Sequence, residues 1–354
     1  MLLTVGPALL LLAGFFVLVQ RAGGRRVCAI GVALCMGLAV AACSGDDAAE
    51  KAKIEAAKKA EAERLAKEAA ARAAAGPPPG TPGHIFSDCD ICPQMVVVPA
   101  GDNDIGSPQG APDADANEYP LAWVRFTEHF AVSRYEIKVR EFTTFADATG
   151  FKADKACITD GVGGSKAGFR NPAINQGPEH PVVCVNVSDA ETYAAWLSTK
   201  TGHTYRLMSE GQWEYVRRSK TKTERGVKKD IEPVPDEAGN VKDDNWLATT
   251  TPGGSYNSNP FFVFDMLGNA DEWTLDCWQV DHRNQPKDGS AAVTTGDCSA
   301  RAVRGGSWDT RPKGARVTSR RRVAAEARDW RIGFRLMRIV PPVASEEGST
   351  TTNQ

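Results

Sequence analysis

Apolar and polar positions follow four successive regimes along this chain, and each predicts a different kind of element. Residues 1–19 are almost wholly apolar; Arg21, Arg25 and Arg26 then precede a second apolar run, Val27 to Ala42, which ends at Cys43 and turns polar at once with Ser44-Gly45-Asp46-Asp47. From Ala48 to Ala75 only Ala, Glu, Lys and Arg remain apart from Ile54 and Leu65, with no Gly or Pro, until Pro77-Pro78-Pro79-Gly80. Strong helix formers without an apolar stripe predict a solvated helical spacer. Short periodic segments come third. Met95-Val96-Val97-Val98 is a β-rich run stopped by Pro99 and Gly101, and Phe130 to Ile137 reads as another strand. Val139, Phe142, Phe145 and Ala146 then fall at helical spacing, with Gly150 as the stop. Ser188-x-x-Glu191 and Ser209-x-x-Gln212 are capping boxes that open two more helices, the first carrying Tyr193, Ala194 and Leu197 and stopping at Gly202, the second carrying Trp213 and Val216. Tyr205-Arg206-Leu207 between them is a short strand. From Leu267 to Met337 no period persists, and glycine, tryptophan and arginine set the pattern.

That last segment holds Leu267-Gly268-Asn269-Ala270-Asp271-Glu272-Trp273, then Arg304-Gly305-Gly306-Ser307-Trp308, then Gly333-Phe334-Arg335. Glycine permits backbone dihedrals other residues resist, and tryptophan supplies area that short strands lack, so these spacings point to a core of irregular backbone. The segment resembles the sulfatase-modifying-factor domain, the family of the formylglycine-generating enzyme, which carries G-N-x-x-E-W, then R-G-G-S-[WF], then G-F-R. Met95 to Gly101 resembles the family's opening M-V-x-x-P-A-G, and Val185 to Arg217 its N-V-S helix and Y-R-L turn. The match runs from about Met95 to Val340; Ser219 to Asn245 has no clear counterpart. The resemblance implies an α+β, irregular, loop-rich fold of the C-type-lectin-like kind with little regular secondary structure. It divides the chain into a leader (1–43), a spacer and Pro-rich linker (44–85), the domain (86–342) and a disordered tail (343–354).

A basic n-region, an apolar stretch and small residues before a cysteine make a secretory signal. Val40-Ala41-Ala42-Cys43 resembles the bacterial lipobox, whose cysteine is lipidated and becomes the new N-terminus; the alternative is a buried or membrane-spanning helix ending in Cys43. Residues 1–19 read either as an extra span or as sequence ahead of a true start near Val19. A lipid anchor at Cys43 makes the membrane one partner and places the protein in the envelope, facing the periplasm or cell surface. Ser44 after the cysteine points, by resemblance to bacterial sorting rules, to the outer membrane of a host that has one. The spacer, about 40 Å long at ~1.5 Å per residue, would lift the domain off that membrane; the alternative is a weak coiled coil.

Of nine cysteines, Cys28 and Cys35 leave with the leader and Cys43 is the anchor. An even set of six in an exported domain implies disulfides, and proximity favours Cys89 with Cys92, Cys157 with Cys184 and Cys277 with Cys298. Redox activity of Cys89-Asp90-Ile91-Cys92 is the alternative to a structural staple there. A formal net charge of −2 with mixed signs gives no basic patch, so no nucleic-acid partner is expected.

In the family a cysteine stands two places beyond the aromatic of R-G-G-S-[WF] and a second follows five later, and the two thiolates hold copper. Here those positions are Thr310 and Ala315, and neither a hydroxyl nor a methyl replaces a soft ligand for Cu(I), so copper is not expected. Asn269, Glu272 and the carbonyls of Leu267, Gly268 and Ala270 resemble one family calcium site; the alternative is that Asn269 and Glu272 bond loop amides. Asp271 stands where the family has Trp. The histidines (His84, His129, His180, His203, His282) show no metal-binding spacing. Arg304 and Arg320, with Trp308, would line the family's peptide groove, or the arginines bond loop carbonyls. Two functions follow: a non-catalytic lipoprotein binding a protein or peptide partner in that groove, or an oxidase of the sulfatase-modifying class, making formylglycine or performing chemistry like that of the periplasmic pyoverdine-maturation relative.

Overall fold

The computed structural model describes residues 80–341 apart from 154, 163, 220–238 and 243–246, together with Ala56, Lys59, Glu63 and Arg64. The leader, Cys43 and the tail lie outside the described residues. In the unit Met1–Lys67 the four described residues are helical and exposed. No helix among the described residues is long and apolar enough to cross a membrane.

The unit Glu68–Gln354 carries the fold. Its strands are β1 (Ile85–Phe86), β2 (Met95–Val98), β3 (Gly101–Ile105), β4 (Ala122–Phe126), β5 (Phe130–Ser133), β6 (Tyr205–Leu207), β7 (Asp271–Trp278), β8 (Asp297–Arg304), β9 (Arg320–Ala324), β10 (Ile332–Phe334) and β11 (Leu336–Ile339). Among the described residues three α-helices, α1 (Val139–Thr149), α2 (Val187–Thr201) and α3 (Glu210–Arg218), pack among them. The strands form a five-stranded sheet in the order β1-β2-β5-β11-β6, a four-stranded sheet β10-β7-β8-β9 and the hairpin β3-β4. Few helices, short strands and long connections make this an α+β, loop-rich architecture.

Local chemistry explains the element ends. Gly150 and Gly202 take left-handed φ of 69° and 74° and close α1 and α2 by returning their amides to Ala146 and Ser198. Ser209 caps α3 with Gln212 in the reciprocal box. The box expected at Ser188 sits two residues earlier: the Asp189 amide donates to Asn186 Oδ1 at 2.9 Å, and the Asn186 amide to Asp189 Oδ2 at 3.0 Å. Val187 is buried in the first turn, which places exposed Ser188 inside the helix. The strand expected from Phe130 to Ile137 ends at Ser133, because the Ile137 amide leaves the ladder for the Phe334 carbonyl.

Register brings the three signature segments side by side. β10 runs parallel to β7, setting Gly333 opposite Glu272, while antiparallel β8 sets Arg304 opposite the same residue. Aromatic rings fill the space above: Phe142 of α1 lies 5.2 Å from Phe145, 5.7 Å from Tyr193 of α2 and 6.1 Å from Phe334. A second apolar cluster gathers Trp213, Tyr215, Phe126 and Phe130. Four buried arginines are held by carboxylates. Arg335 meets Glu272 at 2.8 Å, Arg304 meets Glu214 at 2.5 Å, Arg320 meets Glu210 at 2.6 Å and Arg328 meets Asp189 at 2.7 Å.

Burial and pairing divide the carboxylates into two sets with opposite pH behaviour. Burial opposes ionisation of Glu210 and Glu118, but Arg320 and Arg304 at the first and Arg316 at the second outweigh it and hold both near 2. Burial instead lifts Glu141 to about 7 and Asp276 to about 6. The raised pair binds protons in the folded chain at a pH where the unfolded chain has lost them, so stability gains as pH falls from 7.5 toward 5. The lowered pair contributes stability above pH 4.5 that is lost as pH falls toward 2. These carboxylates therefore favour maximal stability near pH 5, each unmatched proton changing it by about 1.4 kcal/mol per pH unit, while His180 and His282, lowered by burial, oppose the gain below pH 6.5. A steady loss from pH 7.5 to 5 in chemical denaturation that persists when His180 and His282 are replaced by Gln contradicts this assignment.

Candidate functional site

Where the signature loops meet, a cleft of about 550 Å³ opens beside Trp308 and Trp330. The first signature builds its floor by shaping the second: the Gly268 amide donates to the Gly305 carbonyl and the Trp308 amide to the Asn269 carbonyl, each at 3.0 Å. Gly305 and Gly306 turn the chain there at φ of 95° and 74°, a region a side chain resists. Trp308 and Trp330 meet edge to face with centroids 5.3 Å apart. Trp330 is positioned from another loop, its amide donating to the Ile158 carbonyl, and the neighbouring Cys157 is bonded to Cys184. Val162 and Leu247 line the cleft while remaining half exposed, and Ile158 is equally exposed beside Trp330. Apolar rim and aromatic floor together favour an apolar or amphipathic occupant.

Among the described residues one charged group reaches the lining. Asp309 receives Lys242 Nζ at 2.8 Å and Arg331 Nε at 3.0 Å. Burial pushes the Asp309 carboxyl up, but the hydrogen bonds from Lys242 and Arg331 prevail and hold it below the usual range. It stays ionised at neutral pH and ties three loops around the mouth.

Thr310 and Ala315 do come together. A methyl placed on Gly306 would lie 2.8 Å from Ala315 Cβ and 3.1 Å from Thr310 Cγ2. The Ser307 amide donates to Thr310 Oγ1 at 3.0 Å and Ser307 Oγ lies 3.1 Å from it, so the hydroxyl closes its own turn. Thr310 directly follows Asp309 of the cleft lining, and neither it nor Ala315 supplies a soft ligand.

A family profile, that of the sulfatase-modifying factor enzyme 1-like domain, matches residues 82–340. The chain belongs to the sulfatase-modifying factor enzyme 1-like family. It is 26% identical over 265 residues to the formylglycine-generating enzyme of Thermomonospora curvata, covering 58% of this chain and 82% of that one. The bovine formylglycine-generating enzyme is 25% identical, with 53% of this chain and 59% of that one covered. Among solved structures, PvdO from Pseudomonas aeruginosa is similar at 35% identity and a TM-score of 0.65, over 73% of this chain and 98% of that chain. The C-type-lectin-like fold of the family is the fold of this domain.

Within this family member the other expected site residues are placed as follows. Trp308 lines the cleft, whereas Arg304 and Arg320 do not: both are buried against Glu210, and Arg304 also against Glu214, because a fully buried guanidinium needs a carboxylate. Asn269 Oδ1 accepts from the Thr251 amide at 2.8 Å, and Glu272 accepts three hydrogen bonds from Arg335 and one from Trp213 Nε1. Expected as partners in one oxygen cluster, these two side chains are engaged by different donors. Asp271 is buried and meets Arg321 at 2.5 Å. Cys89 is bonded to Cys92 and Cys277 to Cys298.

The sequence reading passed over Trp330, Asp309 with Lys242 and Arg331, and two acidic groups. Glu136 has both carboxylate oxygens buried without a hydrogen bond, and Asp265 has one. Burial raises Glu136 well above the usual range and Asp265 to about 6. A lone tryptophan inside Asp329-Trp330-Arg331 was the available signal for the first; nothing local marks Glu136.

Proposed function

We propose that this protein is an envelope-anchored lipoprotein whose domain binds a protein or peptide partner in the Trp308–Trp330 cleft without copper–thiolate oxidation. The observation that carries the reading is the Thr310–Ala315 pair beside the cleft, whose only hetero atom is spent on Ser307. The aromatic floor and exposed aliphatic rim support a binding role, since hot spots of recognition concentrate on such anchors. Asp309, held between Lys242 and Arg331, keeps the rim loops in place, and Val162 and Leu247 offer apolar contact. The alternative is an oxidase of the formylglycine-generating class, which the activity named for the Thermomonospora and bovine relatives favours. That enzyme would need its metal on other ligands, and among the described residues no three His, Cys, Asp or Glu side chains gather to hold one.

The cleft is tested by a photo-crosslinker installed at Leu247 and, separately, at exposed Val280, which does not line the cleft. The proposal expects a partner adduct at Leu247 alone, lost in Trp308→Ala; equal labelling at both positions overturns it. For the anchor, Cys43→Ala is expected to abolish incorporation of labelled fatty acid, and unchanged labelling removes that half of the reading.

Calcium enters on the same footing. With Glu272 committed to Arg335, Asp265 and Glu136 are the carboxylates among the described residues with buried, orphaned oxygens, and hard oxygen ligands of this kind suit calcium. Millimolar calcium is expected to raise the melting temperature at pH 7.5, and the rise should vanish in Asp265→Asn. A calcium-independent melting temperature at that pH removes the ion from the account.

A further inference from the structure

The cysteine pair joining β7 and β8 differs from the other two in both exposure and charge. Cys157 and Cys184 are both buried, and Cys92 is buried beside a half-buried Cys89. The third pair links Cys277, 1% exposed, to Cys298, which lies open to solvent. Arg301 Nη1 sits 3.4 Å from Cys277 Sγ, and the same nitrogen donates to the Cys298 carbonyl at 2.7 Å, which fixes the guanidinium over the buried sulfur. Neither of the other pairs receives a charged donor among the described residues. Arg320, Arg321 and Arg322 on the adjacent strand are each paired with a carboxylate. Arg301 has no such pair among the described residues, and its Nε is buried without an acceptor.

We propose that Cys277–Cys298 is a thiol-exchange site that takes an alkyl thiol onto Cys298. The incoming thiol loses its proton to solvent, and its thiolate attacks the exposed Cys298 Sγ. A new S–S bond forms there as the old one breaks, and the electron pair of the broken bond goes to Cys277 Sγ. Cys277 therefore leaves as a thiolate beside the Arg301 guanidinium. A neighbouring arginine lowers a thiol's pKa, and a leaving thiol of lower pKa leaves faster, so geometry selects both the sulfur attacked and the sulfur released. A second equivalent of thiol removes the adduct as an external disulfide and completes reduction.

The fold tolerates this opening. β7 and β8 lose regular register between Trp273 and Cys277 and again between Cys277 and Trp278, whereas the Glu272–Arg304 and Trp273–Val303 pairs lie beyond those irregularities. Exchange at Cys298 thus frees the far end of the hairpin and leaves the signature rungs paired. The cleft does not enter the argument, so this site stands or falls separately from the binding role.

Folded full-length protein is incubated with glutathione at pH 7.5, alkylated with iodoacetamide and mapped by peptide mass spectrometry. The expected first products are glutathione on Cys298 and an alkyl group on Cys277, with the other two pairs intact. Arg301→Gln should slow the step severalfold, because Cys277 then leaves without a cation beside it and a leaving thiol of higher pKa departs more slowly. Arg301→Lys should recover most of the rate. Prior opening of either other pair, an adduct on Cys277, or an Arg301→Gln rate equal to that of the unmodified protein overturns the proposal. Order of opening and adduct position are read on the unmodified chain, so they decide even where a variant folds poorly.

Discussion

Replacing Arg335 with alanine is expected to cost about 3–5 kcal/mol of folding stability, the range for breaking a buried ion pair by removing one partner. Arg335 has a fully buried side chain and donates to Glu272 three times, to the Ser133 carbonyl and to the Phe264 carbonyl. Without it Glu272 keeps, among the described residues, only the Trp213 indole as a donor, and the cation that offsets the effect of Glu272 on Glu136 and Asp265 is gone. Domains of this size hold roughly 5–15 kcal/mol in total, so the variant should lose a large share and is expected to be partly unfolded at 37 °C. Arg335→Lys restores a charge but not the fork that serves Glu272 and two carbonyls at once, and should fall between. Arg322→Ala is the control, because its pair with Asp297 is solvent-exposed and screened, and contributes little. Urea denaturation of the three variants checks the order; a loss at Arg335→Ala no larger than at Arg322→Ala contradicts the placement.

Thr310→Cys combined with Ala315→Cys is expected to create a Cu(I) site. Both side chains converge on Gly306, beside the cleft, in a turn already shaped by two left-handed glycines. Two thiolates there satisfy the preference of Cu(I) for soft ligands, whereas the natural pair offers one hydroxyl and one methyl. The six domain cysteines are tied in disulfides and do not compete. Affinity in a chelator competition should rise by orders of magnitude over the unmodified protein, one ion per chain, and Thr310→Cys alone should gain far less. Equal affinity of the double variant and the unmodified chain would mean that the two side chains are not placed to share an ion.

How much of this was legible in the sequence depended on the range of the interactions. Phe142, Phe145, Tyr193 and Trp213 betrayed their helices because helical period is local, and Gly150 and Gly202 marked the ends because few residues accept a left-handed φ. The Asn186 cap was misread as Ser188, since both residues are good caps and only the burial of Val187 decides between them. Arg304 and Arg320 looked like groove residues because a sequence does not say which arginine meets a carboxylate from α3. Trp330 and Leu247 join Trp308 across loops far apart in sequence, and Glu136 feels the charge of Asp265 across 129 positions of chain. Nothing local in the chain announces such convergences. The Thr310–Ala315 substitution was readable because the glycines of the signature fix its frame.

The most direct test of a cleft that binds rather than oxidises is oxygen uptake by the unmodified, disulfide-intact protein. It is supplied with Cu(I) and a peptide containing C-x-P-x-R, and the product is read by mass spectrometry. The account predicts uptake no greater than that of a Trp308→Ala control and a peptide recovered with its cysteine unchanged. Copper-dependent uptake with conversion of the cysteine to formylglycine would contradict it.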